Sequence, residues 1–235
     1  MMFRGYVIEE AFIRDHKLLS YSNKANEKND KLNILNYVKK SFEGELILDA
    51  NQMISDWFPT ENESNVFVSH SHADVNVVKQ FANYIASGIK HPFVDATVWQ
   101  SGDDLIKKIN DTYNQISGEE HTYYYDEAHK ISSNVDLMLA MALNKMIVHC
   151  ETFILIQSDN AVLDGQTYSP WIMSELNMYY ILHELQQQIW NPEILYRSAY
   201  SNYASISVEY DVGKEIESLE KINTMSRFEN VFGTP

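Results

Sequence analysis

Along Glu151-Thr-Phe-Ile-Leu-Ile-Gln-Ser158 the central positions are all apolar, which predicts a short strand buried on both faces. A second run of this kind, Asn65-Val-Phe-Val-Ser69, leads into the polar turn His70-Ser-His-Ala-Asp74. Apolar residues then recur at Val75, Val77, Val78, Phe81, Ile85 and Ile89, the spacing of a helix over Val75–Ile89. Pro92–Trp99 reads as the next strand. Asp103–Ile116 is amphipathic, with Leu105, Ile106, Ile109 and Tyr113 on one side. Gly118–Lys130 is polar apart from Tyr123, Tyr124 and Tyr125, and reads as an insertion whose aromatic residues anchor a long loop. Ser133-Asn-Val-Asp136 has capping-box spacing, so a helix is expected from there to His149, apolar almost all round and therefore buried. A strand at Ala204–Tyr210 and a charged helix at Gly213–Ile222 follow. Strand and helix alternate from Asn65 onward. That alternation predicts an α/β fold, a doubly wound, flavodoxin-like parallel sheet of about five strands.

Residues 1–60 read as an N-terminal extension to a main domain over 61–235. Tyr6-Val-Ile is a possible strand, Asn23–Lys31 a charged break, and Leu32–Phe42 and Leu46–Phe58 two short helices. Trp57, Phe58 and Pro59 suggest that the extension docks on the main domain, the second reading being a module that contacts another copy or another protein.

One carboxylate stands out. In Ser169-Pro-Trp-Ile-Met-Ser-Glu175, Ser169 has the character of an N-cap and Pro170 that of a first helical residue, where a missing N–H costs nothing. Trp171 and Glu175 are then four apart and share a helix face. Ligands in open α/β sheets bind beyond the carboxyl ends of the strands, which is where this helix should begin.

Taken together, Val66-Phe-Val-Ser-His70 and Ser169-Pro-Trp-Ile-Met-Ser-Glu-Leu176 resemble the Toll/interleukin-1 receptor (TIR) domain, and above all the TIR domains that cleave NAD. Pro92-Phe-Val-Asp95, Trp99-Gln-Ser-Gly-Asp103 and Phe153-Ile-Leu-Ile-Gln-Ser158 match further pieces in the family's order. The resemblance covers roughly residues 61–235. It implies that Glu175 is the catalytic glutamate, and that Trp171 either flanks the nicotinamide or packs the helix. It puts His70, Ser71 and His72 in the substrate-contacting loop, although arginines that some relatives carry there are missing. It puts Trp99, Ser101 and Gly102 in the loop that covers the pocket, the indole stacking on a base or closing the core and the glycine freeing a lid. NAD would be a substrate and no cofactor is implied. Stand-alone bacterial proteins of this type resemble the signal-producing component of Thoeris antiphage defence, whose cyclic or modified ADP-ribose product is sensed by a separate effector. A non-catalytic scaffold, signalling by TIR–TIR association, is the alternative.

His70-Ser-His-Ala-Asp74 also fits the His-x-His-x-Asp opening of metallo-β-lactamase-fold zinc hydrolases. Val75 stands where that family has a further histidine, and His91, His121, His129, His149 and His183 form no second cluster in the sequence, so no metal is expected.

Composition narrows the partners. A net charge of −15 disfavours nucleic acid and anionic membranes, and leaves an anionic dinucleotide to be held by locally placed donors. The single cysteine, Cys150, excludes an internal disulfide and reads as packing. Met-Met-Phe-Arg opens no signal peptide and no apolar run reaches membrane-spanning length, so a soluble cytoplasmic protein is expected.

Overall fold

A computed structural model describes residues 3–21, 34–42, 45–86, 90–99, 101–187 and 209–233. In chain order these form β1 (Arg4–Glu9), α1 (Glu10–Asp15), β2 (Val38–Phe42), β3 (Glu45–Leu48), α2 (Ala50–Trp57) and β4 (Val66–Ser69). Then come α3 (Val75–Ile85), β5 (Pro92–Phe93), α4 (Asp95–Val98), α5 (Gly102–Tyr113), α6 (Tyr125–His149) and β6 (Thr152–Gln157). The remainder is β7 (Gln166–Thr167), α7 (Pro170–Gln187), β8 (Tyr210–Asp211), α8 (Gly213–Glu217), β9 (Glu220–Lys221) and α9 (Met225–Phe232). Two compact units result: one from residues 1–22, 63–94 and 147–235, the other from 23–62 and 95–146.

The first unit is built on a five-stranded sheet in the order β5-β4-β6-β1-β9, parallel at every pairing. Tyr6, Ile8, Val66, Val68, Ile154 and Ile156 alternate onto one face. There they meet Phe12 and Ile13 of α1, Val78, Phe81 and Ile85 of α3, and Phe228 and Phe232 of α9 in one core. The other face carries a row set by register, Phe93 beside Phe67, Phe67 beside Phe153, and Phe153 beside Gly5. Tyr179 of α7 completes that row, its ring 5.0 Å from Phe153. Only a glycine fits next to it, because a Cβ on Gly5 would stand 2.1 Å from Tyr179 Cε2. Helices thus cover both faces, and the fold is α/β and doubly wound in the flavodoxin-like manner.

One connection differs from the expected arrangement. Counting from β4, the order β5-β4-β6 reproduces the flavodoxin-like start, but the next place is taken by β1. The segment expected to be an extension therefore supplies an interior strand, because residues 1–22 belong to the sheet unit, which resumes at residue 63. Other boundaries move as well. Residues 34–37 form a 3-10 turn, followed by the β2–β3 hairpin where helices were expected. Pro92–Trp99 is a two-residue strand followed by α4. Gly213–Ile222 divides into α8 and β9. The expected break at 23–31, the last turn of the Val75–Ile89 helix and most of the strand at 204–210 lie outside the described residues.

The second unit contains the β2–β3 hairpin, α2, α4, α5 and most of α6. Asp49 caps α2, accepting from the N–H groups of Asn51 (3.0 Å) and Gln52 (3.2 Å). Met53, Trp57 and Phe58 are buried, and the ammonium of Lys108 lies 5.0 Å from the Trp57 ring. Helix α6 begins at Tyr125, so Ser133 lies inside it and does not cap it. At that length α6 is apolar enough to cross a membrane by composition, contrary to the sequence expectation, and about a third of its most apolar stretch is buried (33%). The expectation of a helix buried all round is therefore corrected: Leu137, Met141 and Val148 of α6 are exposed.

Candidate active site

The strand-to-helix segment that carries Glu175 is fixed before the helix begins. Leu163 and Gln166 exchange N–H···O bonds of 3.0 and 2.9 Å across Asp164-Gly165. Both turn residues have positive φ, 51° and 78°, as a type I′ turn requires, and glycine suits the second. Thr167 Oγ1 accepts from the N–H of Ser169 at 3.2 Å, and Ser169 Oγ accepts from the N–H of Ile172 at 3.3 Å. Ser169 is thus the N-cap and Pro170 the first residue of α7, as the sequence predicts. From that start, Ile172, Glu175, Leu176 and Tyr179 turn inward and are buried, and Trp171 is half-buried.

Glu175 is only 5% exposed. Its Oε2 accepts a 2.6 Å hydrogen bond from Oγ of Ser69, the last residue of β4. A carboxylate removed from water needs such charge-assisted partners to stay ionised. This contact joins two positions 106 apart in sequence at the carboxyl end of the sheet.

The turn after β4 is held by its own polar groups. His70 is buried, with Nδ1 3.3 Å from the carbonyl oxygen of Val68. Ser71 Oγ accepts from the N–H of Ala73 at 3.3 Å and starts a single 3-10 turn, His72–Asp74. His72 is exposed, its ring centroid 6.3 Å from that of His70. Asp74 is buried and faces the loop after β6: its carboxylate accepts from the Ser158 hydroxyl and, at 2.8 Å, from Asn160 Nδ2. Ser158 Oγ in turn accepts from the N–H groups of Asn160 (3.2 Å) and Ala161 (3.1 Å). Asp74 is therefore a clamp between two loops. Among the described residues, no three His, Cys, Asp or Glu side chains are grouped to hold a metal ion.

Glu175, Ser69, His70, Ser71 and His72 thus gather where β4 and α7 meet, with Trp171 in the first turn of the same helix. Trp99, Ser101 and Gly102 belong to the second unit. Of the two roles open to Trp99, the structure shows core packing: it is buried, edge-on to Phe58 at 5.5 Å, with Nε1 donating to the Pro59 carbonyl at 2.8 Å. Ser101 precedes α5 without capping it through its side chain, and Gly102 is the first residue of that helix. A Cβ at Gly102 would meet Leu139 at 3.5 Å, an ordinary contact, so nothing there requires glycine's freedom.

Ser69, Ser158 and Asn160 are the residues the sequence reading did not single out, and Asp74 was weighed there only as part of a zinc motif. Their signal was present: each of the two apolar runs, Val66-Phe-Val and Phe153-Ile-Leu-Ile-Gln, is closed by a serine. No protein-family model matches this chain, and neither the curated proteins nor the solved structures contain a match.

Proposed function

We propose that this chain is a TIR-type enzyme that cleaves NAD, releases nicotinamide and passes on a cyclic or otherwise modified ADP-ribose as a signal, as in Thoeris-like antiphage defence. The observation that carries this reading is the buried Glu175 carboxylate, held by Ser69 at the carboxyl end of a parallel sheet. The chemistry needs little more. Nicotinamide leaves as a neutral base, taking the electron pair of its bond to the ribose, so no acid has to protonate it. Positive charge develops on the ribose, and one fixed carboxylate can stabilise it. Paired carboxylates, as in most glycoside hydrolysis, are not needed. The ribose carbon is then attacked by water, or by a hydroxyl or ring nitrogen of the same molecule when water is excluded, with loss of one proton in each case.

In this reading His70, Ser71, His72 and Trp171 line the substrate's approach. The backbone N–H groups of the turn hold phosphate oxygens in place of the arginines found in some TIR enzymes. NAD is a substrate, no cofactor takes part, and the protein acts in the cytoplasm on a separate effector. Incubation with NAD followed by mass spectrometry tests this. Glu175→Gln should lose on the order of 100-fold or more in nicotinamide release while folding normally, because the amide keeps the shape and loses the charge. Activity within a few-fold of wild type would remove Glu175 from the mechanism. Chelators should leave the rate unchanged, whereas a zinc hydrolase would lose its nucleophile with the metal.

The scaffold reading is favoured by one observation. Leu137 and Met141, one turn apart on α6, are 60% and 56% exposed. Self-association without NAD cleavage would support that alternative.

A further inference from the structure

A half-open cavity of about 220 Å³ opens at the amino-terminal edge of the parallel sheet. Arg4 and Thr152, the paired first residues of β1 and β6, stand on its wall with Lys90, which lies two residues before β5. Ser69 and Glu175 belong to the other end of the same strands. Tyr6, packed edge-on against Phe232, and Val231 give the cavity its apolar wall, and Glu151 and Asn230 complete it.

Two cations line this cavity although the chain as a whole is acidic, with 33 acidic and 18 basic residues. Arg14, Lys39, Lys130, Lys221 and Arg227 are each paired with a carboxylate. Arg4 and Lys90 form no ion pair among the described residues, and they face the same cavity. An arginine and a lysine lining one space suit a phosphoryl group, the guanidinium fork by two parallel N–H···O bonds and the ammonium as a point charge. The volume exceeds what that group fills. At about 30 Å³ per water, the cavity has room for roughly seven, against the five heavy atoms of a phosphate. Glu151 accepts hydrogen bonds and Asn230 both donates and accepts, which suits hydroxyl groups on the remainder of a ligand.

We propose that this cavity binds a small phosphorylated polyol or sugar, its phosphoryl group on Arg4 and Lys90 and its hydroxyls on Glu151 and Asn230. The site is independent of Glu175 and stands whether or not the protein cleaves NAD. Calorimetric titration of the full chain at low salt tests it with ribose 5-phosphate, inorganic phosphate and ribose. Ribose 5-phosphate should bind at one site, inorganic phosphate should bind more weakly and compete with it, and ribose should give no heat. Added salt should weaken binding, since the attraction is largely between charges. Arg4→Gln and Lys90→Gln should each weaken it about tenfold or more, the loss expected for one charge-assisted contact. Their melting temperatures without ligand should be unchanged, as neither side chain has an ion-pair partner among the described residues. Glu175→Gln should bind as wild type. Absence of binding, or binding that survives both substitutions, would overturn the site. Equal affinity for inorganic phosphate and ribose 5-phosphate would overturn the sugar half of the proposal, and loss of binding in Glu175→Gln would overturn its independence.

Discussion

A hydroxyl that donates to a buried carboxylate both stabilises the charge and fixes its direction, and Ser69 does both for Glu175. Ser69→Ala leaves the carboxylate in place with one donor fewer. We expect a stability loss of about 1–3 kcal/mol, read by urea unfolding, and slower nicotinamide release than in the parent. Full stability would mean that water reaches Glu175. Gly5 acts through what it lacks. Gly5→Ala drives a Cβ into the Tyr179 ring, and overpacking of this kind costs about 1–3 kcal/mol or more. Combining it with Tyr179→Leu should recover part of that loss, although the 3.0 Å bond from the Tyr179 hydroxyl to the Ser218 carbonyl is given up. A double variant no more stable than Gly5→Ala would show that the strain lies elsewhere.

Among the elements, the loops after β4 and β6 are coupled by Asp74. Asp74→Ala leaves Ser158 and Asn160 without their common acceptor, so hydrogen exchange at residues 70–74 and 158–161 should quicken together while β4 and β6 stay protected. Exchange confined to one loop would mean that the clamp is not shared. The start of α7 was legible in the sequence because Ser169 and Pro170 are local signals, each acting within one turn. The start of α6 was not. Inside that helix, Ser132 Oγ donates to the Ala128 carbonyl (3.0 Å) and Asn134 Nδ2 to the Lys130 carbonyl (2.8 Å). Polar residues that look like a cap are thereby accommodated mid-helix. The hairpin β2–β3 was missed for another reason, since a run as short as Leu46-Ile-Leu48 has no distinguishing period. In the Tyr123–Tyr125 run, Tyr123 is the anchor: it donates to Asp111 at 2.5 Å, while Tyr124 and Tyr125 are exposed. That bond holds the Asp111 carboxyl below its ordinary range and the Tyr123 phenol above its own.

For the molecule as a whole, β4, β5 and β6 could be read from the chain as strands of one parallel sheet, but β1 was read only as a possible strand of an extension and β9 fell inside an expected helix. Tyr6-Val-Ile is too short to show by itself that it lies inside a sheet; only its neighbours β6 and β9, distant in sequence, make it interior. Burial also sets a response to alkali. It pushes the Cys150 thiol up to about 12, with the Glu151 carboxylate adding to the shift, and burial likewise pushes the Tyr179 phenol up to about 12. Unfolded, these groups would ionise at their ordinary values, 9.0 for the thiol and 10.0 for the phenol. Their contribution to stability is therefore complete below pH 9 and is lost as the pH rises towards 12. The melting temperature should fall across that window, with Cys150→Ala flattening its lower part. Thiol reagents at neutral pH should leave Cys150 unmodified until the protein unfolds.

The place of β1 also bears on how the chain reaches its native state during synthesis. Glu9 pairs with Lys221 across 212 positions, so β1 cannot complete its pairing until the whole stretch up to β9 has followed. Contacts of such long range slow folding, and an unpaired strand edge invites association while it waits. A nascent chain stalled before β9 should expose one side of β1 to chaperones. Pulse-labelled refolding should show protection arriving at β4 and α3 before it reaches β1.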